Sequence, residues 1–226
     1  QRQMCIRDSI AAAEDIIKQI IARAALLWET TADKVEYTDG VATHKNDPKL
    51  NLTFKQLIGK SGQTGGPIVG RSNIDPVGHG PSYSANIVDI AVDKETGKVS
   101  ILRYTAFQDV GTAIHPTYVE GQIQGGTTQG IGWALNEAYY VNADGAMLNA
   151  SFLDYRMPTS LDLPMIETVM VEVPNPNHPF GVRGVGEANI APPLAALANA
   201  ISAATGSRLR DLPMTPENIR LATGNS

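Results

Sequence analysis

Apolar residues near the start of the chain recur three and four positions apart, which places them on one face of a helix. The stripe consists of Ile16, Ile17, Ile20, Ile21 and Ala24. Ser9 is a suitable N-cap, because its hydroxyl can accept a hydrogen bond from a backbone N–H of the first turn. The pattern therefore predicts a helix over residues 9–28.

The next stretch predicts short strands over residues 34–37 and 41–43, separated by the turn Asp39-Gly40. Thr53 followed by Gln56 matches a capping box, and it predicts a short helix to about Ile58. Residues 59–80 are rich in Gly and Pro, which favours an extended loop on the surface or beside a cofactor.

Two β-rich runs, 84–92 and 99–107, predict a hairpin whose turn contains Gly97 at a position of positive φ. The remaining predicted elements are a helix over 117–136, a second hairpin turning at 142–145, a strand over 166–173, and helices over 192–205 and 216–221. Strands and helices do not alternate strictly, so we expect an α+β fold with mixed helices and antiparallel hairpins rather than a doubly wound sheet. The sequence has no internal repeat and no clear linker, which indicates one structural unit.

The composition is that of an ordinary globular protein, with 42% hydrophobic and 18% charged residues in a chain of 226. A net charge of −5 provides no basic surface for nucleic acid or for an anionic membrane. No run is long and apolar enough to span a bilayer, and the apolar stretch over 16–28 contains Lys18 and Arg23, unlike a secretory signal. We therefore expect a cytoplasmic protein.

The chain has a single cysteine, Cys5. One cysteine allows neither an internal disulfide nor a four-thiolate iron–sulfur cluster made by this chain alone. Residues 1–9 share no pattern with the rest of the chain, and we interpret them as a non-native or disordered leader. A frayed native terminus is an equally good interpretation.

Two motifs fall short of nucleotide binding. Gly59-Lys60-Ser61 resembles the end of a P-loop, but the required upstream glycine is replaced by Phe54. Residues 181–186, Gly-Val-Arg-Gly-Val-Gly, have the wrong spacing for a dinucleotide fingerprint. The four histidines are scattered without metal-ligand spacing, which argues against a zinc site.

The segment 121–132, Gly-Gln-Ile-Gln-Gly-Gly-Thr-Thr-Gln-Gly-Ile-Gly, combines helical length with many glycines. Each glycine weakens a helix by about 1 kcal/mol relative to Ala, so another interaction must offset that cost. One interpretation is tight packing of the helix against a neighbour. The other is a helix N-terminal region that faces a phosphate-bearing or polar ligand, with Gln122 as a donor.

Glu187 follows the glycine-rich residues 181–186 and precedes the predicted Ala-rich helix. A carboxylate there can simply complement the helix dipole, which contributes about 0.3–1 kcal/mol. Alternatively, bare glycine backbone approaches a cofactor while the carboxylate lies in a water-poor pocket. Burial would raise the pKa of that carboxyl group and make its ionised form a stronger base. Spacing alone leaves both interpretations open.

Five segments taken in order resemble one enzyme family. They are residues 108–116, 121–132, 153–158, 181–187 and 212–219. In register, they are similar to the molybdenum-binding large subunit of xanthine dehydrogenases, aldehyde oxidases and aerobic carbon monoxide dehydrogenases. The resemblance covers nearly the whole chain after Ser9, and it identifies residues 10–226 as the C-terminal portion of a molybdopterin-binding domain.

The resemblance implies specific roles. Glu187 falls on the glutamate of the family's Gly-x-Gly-Glu motif and would be the general base. Gln122 falls on the glutamine that hydrogen-bonds the molybdopterin cofactor, and the further cofactor-binding positions it implies are Gly125, Gly126, Gly184 and Gly186. No protein ligand to the metal is expected. The chain departs from the family at Gln124, where Glu is common, and at Ala188 and Asn189, since the family often has Pro at position 188 or 189. We expect these differences to affect packing more than chemistry.

The implied activity is hydroxylation of an aldehyde, an N-heterocycle or a similar small substrate with oxygen taken from water. The implied cofactor is molybdenum–molybdopterin, with the cytosine dinucleotide form as one option. Iron–sulfur clusters and FAD would lie on partner domains or subunits, and an N-terminal part of the same subunit would supply further contacts. The isolated chain would then be inactive. The alternative is a non-catalytic assembly or structural module that has kept the fold.

Overall fold

The structure is a computed structural model that describes residues 2–73 and 80–224. It divides into two compact units, Gln1–Val77 and Gly78–Ser226. The expectation of one structural unit is thus corrected, because the Gly- and Pro-rich stretch interpreted as a loop is also where the units divide. Residues 74–79 of that stretch, His79 included, lie outside the described residues. No helix in the described part of the chain is long and apolar enough to cross a membrane.

The first unit packs one long helix on a small antiparallel sheet. Its elements are α1 (Arg2–Leu27), β1 (Val35–Thr38), β2 (Val41–His44), β3 (Asp47–Thr53) and α2 (Phe54–Gly59), with strand order β1-β2-β3. The core contains Ile20, Ala24, Ala25, Val35, Ala42 and Leu57. Four residues of the predicted apolar stripe, Ile16, Ile20, Ile21 and Ala24, therefore supply the buried face of α1, whereas Ile17 is 40% exposed.

Two details of the first unit differ from the prediction. Helix α1 begins at Arg2, so Ser9 lies within the helix and is not its N-cap. Residues 2–8 contain no Gly or Pro, and a helix already nucleated extends through such a sequence. Strand β3 was not predicted; its side chains are almost all exposed, and only Leu50 and Leu52 alternate with polar residues. The capping box at Thr53 is confirmed, with the Gln56 side chain accepting a hydrogen bond from the Thr53 N–H at 2.9 Å.

The second unit is built on a mixed sheet of three strands in the order β4-β5-β6. Its elements are β4 (Ser84–Val92), β5 (Val99–Asp109), α3 (Pro116–Leu135), β6 (Ile166–Val171), α4 (Ala191–Thr205) and α5 (Pro216–Ala222). Strands β4 and β5 form the predicted hairpin, and Gly97 in its turn has the expected positive φ of 74°. The α+β class is confirmed.

The sequence did not predict how β6 pairs. It runs parallel to β5, from Tyr104↔Ile166 to Asp109↔Val171, so the connection through α3 is a crossover. The predicted second hairpin is reduced to one isolated bridge, Val141↔Met147, beside Gly145 at φ 81°. Segment 139–165 therefore has almost no regular structure.

Helices α3 and α4 pack against each other and against the sheet. Their common core contains Tyr104, Ala106, Ile123, Ile131, Leu197, Ile201, Met214 and Ile219. At Gly130, an added Cβ would overlap the Ile190 carbonyl oxygen and come within 2.8 Å of the Pro193 side chain. The backbone that leads into α4 thus lies directly on the backbone of α3.

We predict that Gly130→Ala lowers the free energy of unfolding by about 1–3 kcal/mol, because the new methyl group forces α3 and α4 apart. Gly125→Ala is the matched control in the same helix, since no atom lies within 4 Å of its added Cβ. That substitution should be neutral or stabilise by up to about 1 kcal/mol through helix propensity. Urea denaturation of both variants measures the difference, and equal effects would contradict the close packing at Gly130.

Candidate functional site

The two glycine-rich segments singled out in the sequence meet in the structure. Gln122 lies in α3, and Gly186 belongs to the loop that precedes α4. A Cβ placed on Gly186 would be 3.6 Å from the Gln122 Oε1 atom, which is van der Waals contact. Glu187 is the next residue along the chain. The loop around Glu187 and the Gln122 side chain therefore share one site.

Asn189 holds the far end of this loop. Its side chain is 1% exposed, its Nδ2 donates to the Val185 carbonyl at 2.7 Å, and its Cβ lies 3.0 Å from the position a Cβ would take on Gly126. The Gln124 side chain meanwhile donates to the Ile166 carbonyl at 3.3 Å. Gln124 and Asn189, two of the three positions that depart from the family pattern, therefore make hydrogen bonds within the protein.

The predicted site glycines fall into two groups. Gly126 is buried against Asn189, so it serves packing between α3 and the loop. Gly125 and Gly184 are exposed, and a Cβ on either would meet no atom within 4 Å; the same holds for Gly121. The packing interpretation of the glycine-rich helix therefore applies to its buried face, and its other face is open. The open face presents bare backbone on either side of Gln122.

The start of α3 limits what its backbone can bind. The helix begins at Pro116, and the His115 Nδ1 atom caps it by accepting a hydrogen bond from the Tyr118 N–H at 3.4 Å. Only the first turn of a helix has free N–H groups, and Gln122 lies beyond that turn. The interpretation of residues near Gln122 as a helix N-terminal anion site is therefore corrected: only the side chain of Gln122 is available to a ligand.

The side chain of Glu187 is exposed, together with Gly184 and Gly186. The expected water-poor pocket is therefore absent from the described structure, because no part of it covers this side of the loop. Neither Glu187 nor Gln122 has a side-chain hydrogen-bond partner among the described residues. Two free polar side chains, an amide and a carboxylate, thus border the open glycine backbone.

Sequence reasoning missed one feature that holds the other end of the loop. The Arg183 Nε atom lies 3.0 Å from the Asp109 Oδ2 atom, and the two side chains are 11% and 9% exposed. Both residues lie in the motifs that carry the resemblance. They are far apart along the chain, so the sequence did not predict that they form an ion pair. Only the parallel β5–β6 pairing and the return of the chain after β6 bring them together.

A separate cleft of about 980 Å³ lies at the opposite end of α3. It is lined by the β4–β5 turn, the C-terminal end of α3, residues 154–164 and the start of α5. None of the predicted site residues lines it. Its charged side chains include Arg156 and Asp162, whose closest N and O atoms are 3.8 Å apart.

The groups around Gln122 and Glu187 suit the chemistry of a pterin ring. A primary amide offers one acceptor and two donors, which suits the cyclic amide edge of such a ring system. Bare backbone at Gly121, Gly125 and Gly184 leaves space for a flat ring to approach closely. No cluster of three or more His, Cys, Asp and Glu side chains that could hold a metal ion occurs among the described residues. The Gln122 amide and the open backbone at these glycines therefore fit the organic part of such a cofactor.

Comparison with known proteins gives a consistent result. The molybdopterin cofactor-binding domain family matches residues 5–164. The putative xanthine dehydrogenase molybdenum-binding subunit of Escherichia coli (strain K12) is 34% identical over 207 residues, which cover 89% of this chain and 28% of that protein. The nicotine 6-hydroxylase large subunit of Paenarthrobacter nicotinovorans is 39% identical over 145 residues, covering 63% of this chain and 18% of that protein.

A solved structure agrees with these relatives. Quinoline 2-oxidoreductase from Pseudomonas putida 86 superposes with a TM-score of 0.70 at 26% identity, over 94% of this chain and 28% of that chain. The present chain thus spans less than a third of the length of the proteins it matches. By sequence and by fold, it belongs to the molybdopterin cofactor-binding domain family, and it is similar to part of a xanthine dehydrogenase molybdenum-binding subunit.

Proposed function

We propose that this chain is part of a molybdenum hydroxylase that oxidises an aldehyde, an N-heterocycle or a similar small substrate with oxygen taken from water. The observation that supports this proposal best is the proximity of Gln122 to Gly186, whose added Cβ would lie 3.6 Å from the Gln122 Oε1 atom, because it brings the implied cofactor residue beside the loop of the implied base. The named relatives, a xanthine dehydrogenase subunit and a nicotine 6-hydroxylase subunit, agree with this reaction class.

In this proposal Glu187 is the general base. Its carboxylate has no competing hydrogen bond within the described chain and can accept the proton released when a water-derived oxygen bonds to the substrate carbon. A carboxylate in hydrogen-bond reach of that proton contributes about 10²–10⁴-fold to the rate. The turn at residues 186–190, closed by the Ile190 N–H donating to the Glu187 carbonyl at 3.2 Å, fixes the backbone that carries it.

The role of Gln122 and the open glycines is to bind the cofactor. The Gln122 amide would donate to and accept from the pterin, while Gly121, Gly125 and Gly184 allow the ring system to lie against backbone. When bound, molybdenum–molybdopterin, in its simple or cytosine dinucleotide form, supplies the acceptor for the two electrons that the substrate loses. FAD and iron–sulfur clusters on partner domains or subunits would carry those electrons onward.

The exposure of Glu187 motivates a further part of the proposal, namely that more protein covers this site. A base in a closed site acts more strongly because water no longer competes for it. The chain also presents large apolar side chains in segment 139–165, where Phe152 and Leu153 are 92% exposed, Leu161 is 95% exposed and Met165 is 84% exposed. Contiguous exposed apolar surface is typical of protein interfaces. We propose that it contacts another part of the same molybdenum subunit.

The first prediction concerns the base. In the assembled enzyme, Glu187→Gln should reduce turnover by about 10²–10⁴-fold, because the amide cannot accept the proton. Molybdenum and pterin content should remain near that of the unmodified enzyme, since the side-chain shape is kept. Steady-state kinetics with metal analysis measures both. Unchanged turnover would contradict the role of Glu187 and would favour the alternative, a non-catalytic module.

The second prediction concerns cofactor binding. Gln122→Ala removes the amide, and Gly125→Ala adds a methyl group to the open face of α3 without touching the protein. Both variants should lower the pterin content of the purified enzyme while leaving its folding stability unchanged or improved. Gln129→Ala is a suitable control, because that residue is also exposed on α3 but lies one to two turns further along. Full pterin content in both variants would refute the assignment of this face.

The third prediction concerns the apolar segment. In the assembled enzyme, the backbone amides of residues 151–165 should be protected from hydrogen exchange, although large side chains of this segment are exposed in the chain by itself. Leu161→Ser should lower the thermal midpoint of the enzyme, because it places a hydroxyl in an apolar interface. Leu221→Ser, at a leucine that is 66% exposed on α5, is the control and should change little. Fast exchange across 151–165 in the enzyme would rule out this interface.

A further inference from the structure

Of the three Asp–Arg ion pairs among the described residues of the second unit, two have the same length but very different burial. Arg103 and Asp89 are 3.0 Å apart on the exposed face of the β4–β5 hairpin, with side chains 64% and 53% exposed. Arg183 and Asp109 are also 3.0 Å apart, with side chains 11% and 9% exposed. A surface pair contributes little, whereas a buried pair overcomes a large desolvation penalty only when its geometry and hydrogen bonds are good. The buried pair therefore calls for a specific explanation.

Asp109 is held rigidly at the end of β5. Its backbone N–H donates to the Tyr83 carbonyl at 2.8 Å, and its carbonyl accepts from the Ser82 hydroxyl at 2.7 Å. One carboxylate oxygen, Oδ1, accepts from the Gly111 N–H at 3.0 Å, and the other faces Arg183. The carboxylate therefore has one fixed orientation toward the loop.

Arg183 connects that carboxylate to the loop before α4. Its Nε donates to the Val173 carbonyl at 3.1 Å, a terminal nitrogen donates to the Pro81 carbonyl, and its own backbone N–H donates to the Val110 carbonyl at 3.1 Å. One side chain thus joins the end of β5, the stretch after β6 and the stretch before β4. A lysine at this position could keep the charge but not this set of hydrogen bonds.

Gly111 allows this contact to be close. Its φ of 68° is in the left-handed region, and a Cβ would overlap the Gly181 carbonyl oxygen and lie 2.8 Å from the Arg183 backbone nitrogen. No side chain therefore separates the end of β5 from the beginning of the loop. The backbone at Arg183 is fixed relative to the sheet.

The loop is then held at both ends. Arg183 fixes its start on the sheet, and Asn189 fixes its end on α3 through contact with Gly126. Only residues 184–188 lie between these two points, so the backbone position of Glu187 depends on both. Neither Arg183 nor Asp109 lies among the open groups that border Gln122.

We propose that the Asp109–Arg183 pair is a positioning device that sets the location of Glu187 relative to Gln122. The inference rests on the proposed role of Glu187 as the base. The pair touches neither substrate nor cofactor in this proposal and acts only through the loop. Its loss would displace the base while leaving the binding groups of α3 in place.

The test compares Asp109→Asn with Asp89→Asn in the assembled enzyme. Asp109→Asn keeps an oxygen for the Gly111 N–H but removes the charge that holds Arg183. Because a displacement of about 1 Å can cost about 100-fold in rate, we expect kcat to fall by that order while KM and pterin content stay nearly constant. Hydrogen exchange of residues 184–188 should become faster, with exchange in β4 and α4 unchanged. Asp89→Asn, at the exposed pair, should alter none of these quantities.

Arg183→Lys is the milder variant. It keeps the proposal testable if Asp109→Asn does not fold. It should give an intermediate loss of kcat and an intermediate rise in loop exchange, since the charge is retained without the full set of hydrogen bonds. Unchanged kcat or unchanged loop exchange in a folded Asp109 or Arg183 variant would overturn the proposal. Glu187→Gln in the same assay separates the proposed base role of Glu187 from the positioning role of the Asp109–Arg183 pair. If Glu187→Gln keeps full turnover, the base assignment fails. Hydrogen exchange of residues 184–188 alone then shows whether the pair holds the loop.

Discussion

The close approach of α3 to the backbone leading into α4 is the constraint on which the rest of the site depends. Gly126 and Gly130 carry no side chain, so Asn189 and Ile190 lie directly on the helix. Any larger residue at these positions would push the loop away from α3 and separate Glu187 from Gln122. The helix thus loses intrinsic stability at each glycine, and the packing of α3 on its neighbours offsets that loss.

The same helix has two chemically different faces. One face is buried against the loop and α4, and the other presents Gly121 and Gly125 to open space on either side of Gln122. A single glycine-rich segment can therefore serve packing and ligand approach at once, which explains why spacing along the chain could not separate the two. In the proposed enzyme, the packed face determines where the base is, and the open face determines where the cofactor lies.

The described residues build the site but do not cover it. Glu187 is exposed and free, and the apolar side chains of segment 139–165, Phe152 and Leu161 among them, are exposed as well. The apolar side chains are unfavourable in water, whereas the Glu187 carboxylate is well hydrated there; in the proposed enzyme, other protein covers both. A chain that spans 28% of a related subunit fits this arrangement.

The sequence by itself determined most elements, because apolar periodicity, the capping box at Thr53 and the turn at Gly97 act locally. It also carried the family resemblance and the two residues on which the proposed chemistry rests. Only the tertiary structure decided the parallel pairing of β6, the division of the glycines between two faces, the burial of the Asp109–Arg183 pair and the exposure of Glu187. Those features depend on contacts between residues far apart in the chain, and such contacts leave no periodic signal in a sequence.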